Sequence, residues 1–66
     1  MRLDIDVPTL DEVSRMSWEE LKKWVNILLP YFNQRHKMVE EDYLKISIYY
    51  TIEFKILDME KLLIIK

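Results

Sequence analysis

The chain has 66 residues, no cysteine, no glycine, two prolines and a net charge of −2. That excludes disulfides, leaves a metal cage one histidine to draw on, and removes the glycine-built loops that cradle phosphates or turn an EF-hand. Half the residues are hydrophobic and a third are charged, so residues 1–66 read as one small folded domain. Such a domain buries only about 60% of its unfolded surface, and without a staple it needs a dense core, a partner or both.

Charge is unevenly spread. Residues 1–20 hold six acids against two bases, a net of −4, and residues 21–66 hold six acids against eight bases, a net of +2. An acidic first third argues against a nucleic-acid-binding arm, which needs clustered Lys and Arg. It suits contact with a basic surface on another protein. Met1 and Arg2 precede alternating acids rather than an apolar run, so no secretory leader is expected. No apolar stretch approaches the ~20 residues that span a bilayer. The expectation is a cytoplasmic protein with no membrane contact.

In chain order, residues 1–8 alternate, with Leu3, Ile5 and Val7 set against Asp4 and Asp6. This predicts an edge strand or an extended arm, ended by Pro8. Thr9-Leu10-Asp11-Glu12 reads as a capping box opening a short helix over about 10–16. Ser17-Trp18-Glu19-Glu20 repeats the device, with Met16 and Leu21 as a hydrophobic staple. A second helix is predicted over about 18–29, with Trp18, Leu21, Val25 and Leu28 on one face and a Glu19–Lys23 pair on its surface. Pro30 is expected to stop that helix or start the next, and Asn33 is a candidate N-cap.

Beyond residue 38 two readings compete. Over 46–56 the sequence alternates strictly, with Ile46, Ile48, Tyr50, Ile52, Phe54 and Ile56 on one side, as in a strand. Yet Val39, Tyr43, Ile46, Tyr50, Phe54, Leu57 and Ile64 fit a 3.6 period broken only at Lys61, and Leu44, Ile48, Ile52, Ile56, Met59 and Leu63 form a second helical face. A hairpin would have to turn near 58–61 with neither Gly nor Asn. The leading fold is therefore mainly α: an extended N-terminal arm, a short helix, a second helix and one long C-terminal helix. The alternative is α+β, with the N-terminal strand and a C-terminal β-hairpin packed on two helices.

The run Pro8-Thr9-Leu10-Asp11-Glu12-Val13, then Met16-Ser17-Trp18-Glu19-Glu20-Leu21, then Trp24 and Leu29-Pro30, resembles the opening of small phage- and prophage-encoded proteins of unknown function. Their pattern is Pro-Thr-x-x-Glu-Val, a Met-Ser-aromatic-Glu-Glu-Leu step, and a Trp before Leu-Pro. The resemblance covers about a third of the chain, residues 8–30. It implies a helical continuation and a viral accessory role in a host cytoplasm, and brings no catalytic residues.

No constellation of side chains supports an enzyme. His36 and Glu40 are spaced as a helical metal pair, but two ligands do not make a site. Glu40-Glu41-Asp42 point in different directions on a helix and read as a solvated face. Ser14, Ser17 and Ser47 have no base nearby in sequence, so catalytic, cofactor and metal residues are all expected to be none. The eight aromatic residues must mostly pack the core, and any left exposed would be interface anchors. Tyr49 lies off both the alternating face and the main helical stripe, so it is the expected exposed anchor. The function expected is a non-enzymatic protein–protein interaction module, acting by self-association as a dimer or higher oligomer, on a larger protein partner, or both. Its expected contact residues are Asp11, Glu12, Glu19, Glu20 and Tyr49. The resemblance sharpens this to a viral inhibitor of a host or defence protein. The competing classes are a small nucleic-acid-binding regulator using Arg35, Lys37 and Lys45, and a structural or assembly component.

Overall fold

The computed structural model describes residues 3–64, with the side chains of residues 63 and 64 outside the description. Leu63 and Ile64, expected on the two apolar faces of the last helix, therefore have their side chains outside the described residues. The architecture is all-α behind an extended arm. It comprises α1 (Leu10–Ser14), α2 (Trp18–Asn33), a 3-10 turn (Arg35–Lys37), α3 (Glu40–Ile46) and α4 (Ile48–Ile64).

Both capping boxes form. The Glu12 N–H donates to Thr9 Oγ1 and the Thr9 N–H to Glu12 Oε1, each at 3.1 Å. At α2 the Glu20 N–H donates to Ser17 Oγ at 3.3 Å and the Ser17 N–H to Glu20 Oε1 at 3.4 Å. Each box pairs two donors that a helix start leaves without intrahelical partners. α1 ends at Ser14, two residues earlier than its sequence suggests, because Arg15 and Met16 turn the chain toward the Ser17 cap.

Pro30 does not terminate α2. It sits inside the helix, which runs on to Asn33, so Asn33 closes α2 rather than capping the next helix. Proline removes one i→i−4 hydrogen bond and crowds the carbonyl four residues back. The last turn is retained because it carries Tyr31 and Phe32, both packed against the core.

Helix wins over strand beyond residue 46. The alternating pattern would bury Tyr50 and Phe54, yet they are 45% and 70% exposed. Burial instead follows Ile46, Tyr49, Ile52 and Ile56, a helical 3-3-4 spacing. Among the described residues none has the positive φ that a tight hairpin turn requires. The long C-terminal helix is divided at Ser47. The Ser47 N–H and hydroxyl bond Tyr43 O (3.2 Å) and Leu44 O (2.5 Å), and the Tyr50 N–H bonds Ser47 O at 3.0 Å. The i→i+3 bond is a local tightening of the helix, and the serine hydroxyl competes for the backbone there.

α2 runs antiparallel to α4, with Phe32 against Tyr49 and Tyr50 and Val25 against Ile56 and Leu57. Leu21 and Leu28 of α2, Val13 of α1, and Ile46, Tyr49, Ile52 and Ile56 make the core. The arm lies over this core with Leu3, Ile5 and Val7 half-buried and Asp4 and Asp6 outward. It forms no strand pairing among the described residues. Two long-range bonds tie the first third of the chain to the C-terminal helices α3 and α4: the Leu3 N–H to Asp42 Oδ2 (3.2 Å) and Lys55 Nζ to Val13 O (2.8 Å).

Candidate protein interface

The core face of the C-terminal helices falls between the two stripes that periodicity suggests. Ile46, Ile52 and Ile56 turn inward and Tyr49 lies between them. Tyr43, Tyr50, Phe54 and Leu57 are left on the outer side, 43%, 45%, 70% and 55% exposed. Tyr50, Phe54 and Leu57 recur at spacings of 4 and 3, so they share one side of α4, and Tyr43 stands on α3 before the break at Ser47. From α2, Trp18 and Leu29 are also exposed. Leu29 is one turn from both Val25 and Phe32, which touch the α4 side. The α2–α4 seam thus carries exposed apolar side chains from both helices, interrupted by Lys22 and Glu53. A groove of about 230 Å³ lies along the seam, lined by Lys22, Val25, Glu53, Ile56 and Leu57.

Aromatic contacts fix the upper end of this surface. The Phe32 ring stacks on Tyr49 (centroids 4.2 Å, 20°) and meets Tyr50 edge-on (5.0 Å, 84°). The Arg35 guanidinium lies 4.1 Å from the Phe32 centroid and donates to Phe32 O at 2.8 Å. Two groups so close to one centroid must occupy opposite faces, so Phe32 is clamped between Tyr49 and Arg35. At the lower end the Lys22 ammonium sits 5.4 Å from the Trp18 ring. Trp18, expected on the buried face of its helix, instead lies at the rim with a cation over it.

Tyr49 is the correction among the expected contact residues. It is 4% exposed and belongs to the core, three residues from both Ile46 and Ile52 on the inward face. Burial, then a hydrogen bond to Glu53 and the charge of that carboxylate, push its phenol up to about 12. The role expected of Tyr49, an exposed anchor, falls to its neighbours Tyr50 and Phe54. Their signal in the sequence was the break at Lys61: a stripe containing a lysine is the one that faces water.

The four acids are all exposed on α1 and the first turn of α2. Their roles differ. Glu12 and Glu20 hold the capping boxes, and Asp11 pairs with Arg15 at 2.9 Å. The expected Glu19–Lys23 pair is not among the ion pairs formed, which leaves Glu19 facing water. His36 and Glu40 are not on one helical face, because His36 lies in the 3-10 turn and Glu40 opens α3. Glu40 and Glu41 are exposed, whereas Asp42 is buried as the acceptor for the arm.

A second groove, about 360 Å³, lies beside the arm between Val7, Pro8, Leu10, Leu44 and Ile48. Among the described residues no helix is long and apolar enough to cross a membrane. No family model, curated protein or solved structure matches the chain.

Proposed function

We propose that the protein is a non-enzymatic protein–protein interaction module of the cytoplasm. The observation that carries this reading is the apolar surface of Tyr43, Tyr50, Phe54 and Leu57, continued by Trp18 and Leu29. Aromatic side chains held on helices are the usual anchors of protein interfaces. Their exposure in a chain of 66 residues is costly unless another surface covers them. The acidic end of the molecule supplies a second contact region, suited to a basic partner. The resemblance of residues 8–30 to phage-encoded proteins extends the proposal to a viral accessory role, in which the module inhibits a host or defence protein.

The test is affinity capture from host lysate with three baits. The unaltered chain should retain a specific protein. Phe54→Asp should lose it if the apolar surface makes the contact. Asp11→Lys with Glu19→Lys should weaken it if the acidic end contributes, and this pair spares the Glu12 and Glu20 caps. Retention of the same proteins by all three baits would refute the assignment of these surfaces.

A further inference from the structure

The N-terminal arm crosses the break between α3 and α4. Its Leu3 N–H is bonded to Asp42 on α3. Further along, Val7 and Pro8 share a groove with Leu44 and Lys45, which precede Ser47, and with Ile48 and Thr51, which follow it. Beyond the arm, Val13 is bonded to Lys55. The first part of the chain thus runs alongside α3 and α4 in their own direction and spans the Ser47 junction. Its two parts are held differently. From Pro8 onward the chain is fixed: Pro8 is buried, Thr9 and Glu12 close their capping box, and Lys55 reaches Val13 O. Before Pro8, among the described residues, no backbone–backbone hydrogen bond involves residues 3–7, and Leu3, Ile5 and Val7 are only half-buried. The Leu3–Asp42 bond fastens this stretch to the helices.

α3 depends on the same fastening. Its seven residues are too few for a helix to stand on its own, and Val39 gives it no side-chain cap. The two side chains it buries are Ile46 and Asp42, and Asp42 is the one the arm engages. Its flanks are secured independently. Ser47 closes it on one side, and on the other Arg35 is held by Phe32 O and the Phe32 ring. Neither the arm nor α3 contributes Leu21, Leu28, Tyr49, Ile52 or Ile56, the core residues of α2 and α4.

We infer that residues 3–7 are a strap that opens together with α3, between pivots at Pro8 and Ser47, while α1, α2 and α4 stay packed. Local openings are drawn from the parts of a fold with few buried contacts, which here are the arm and the short helix it fastens. Opening uncovers Ile46, which is fully buried while the strap is closed, and takes Tyr43 away from the exposed aromatics of α4. The device is internal to the chain and does not rest on the interaction-module reading.

Residue-resolved hydrogen exchange by NMR on the full chain tests this. The Tyr43 and Ser47 amides, bonded to Val39 O and Tyr43 O, should exchange faster than those at the centres of α2 and α4. Ile5→Asp changes the arm alone. It should speed exchange of the Tyr43 and Ser47 amides about tenfold and leave the centres of α2 and α4 as they were. Asp42→Ala should have the same effect through the other half of the fastening, and Asp42→Asn, which keeps an acceptor oxygen, should fall between it and the native chain. If Ile5→Asp leaves these α3 amides as protected as in the native chain, the strap does not hold α3 and the proposal falls, whatever Asp42→Ala does at the helix start. If α3 exchanges no faster than α2 and α4 in the native chain, or if Ile5→Asp speeds all the helices together, no separate unit opens and the proposal falls as well.

Discussion

Tyr49 and Tyr50 are adjacent and chemically identical, and the structure gives them opposite environments. Tyr49 stacks on Phe32 inside the core, with its hydroxyl on Glu53, while Tyr50 meets the same ring by an edge and remains half in water. This has a consequence at alkaline pH. The phenol of Tyr49 ionises near 10 in the unfolded chain and near 12 in the fold. Its folded-state value is raised, so its contribution to stability is complete below pH 10 and is lost as pH rises toward 12. Urea unfolding at about pH 9 and about pH 11.5 should show a steeper loss for the native chain than for Tyr49→Phe, which has no phenol to ionise. Lys55 acts through its hydrogen bond in the same way that Tyr49 acts through burial. Its ammonium donates to Val13 O near the end of α1, a carbonyl that also accepts the Met16 N–H at 3.1 Å, so the bond links α4 to the end of α1. Lys55→Met keeps the aliphatic stem and should cost about 1–3 kcal/mol, measured by the same unfolding curves.

Among the elements, the helix starts were the most legible. Thr9 and Ser17 each stand three residues before a glutamate and next to apolar positions, and both boxes form as the sequence implies. Ser17→Ala should lower stability by about 1 kcal/mol, the usual worth of a cap, in thermal or urea unfolding. Helix ends were less legible. Pro30 reads as a stop by local chemistry, but its turn also carries Tyr31 and Phe32, and their packing outweighs the lost hydrogen bond. Pro30→Ala should restore the N–H bond to Asn26 O and raise stability, by less than the ~3 kcal/mol that an interior proline costs because alanine also frees the unfolded chain. A fall in melting temperature for this variant would show that the ring itself is needed. The face of α4 was legible only in part. Two apolar stripes were visible in its sequence, and the buried one runs between them, so Ile52 and Ile56 come from one stripe and Ile46 from the other.

At the scale of the whole molecule the chain is long for its size. Its radius of gyration is 12.7 Å with extents of 43 × 20 × 16 Å, against about 11 Å expected of a rounded domain of this length. An elongated helical layer has a thin core and much lateral surface, which is why aromatic residues of α4 remain outside. Composition determined several things by itself: no disulfide, no glycine-built nucleotide loop, two capped helices, and an apolar load too large for a small core to absorb. Those follow from residue type and local spacing, which act over one or two helical turns. The sequence favoured helix over strand beyond residue 46 and the structure bears that out, whereas tertiary structure alone decided that Tyr49 is inside and Phe54 outside, and that Asp42 and Lys55 tie the C-terminal helices to the first third of the chain. Each of these depends on contacts between residues far apart in sequence. Both strand and helix periods fit the same apolar residues, and only the face of α2 opposite them selects which side of α4 is buried.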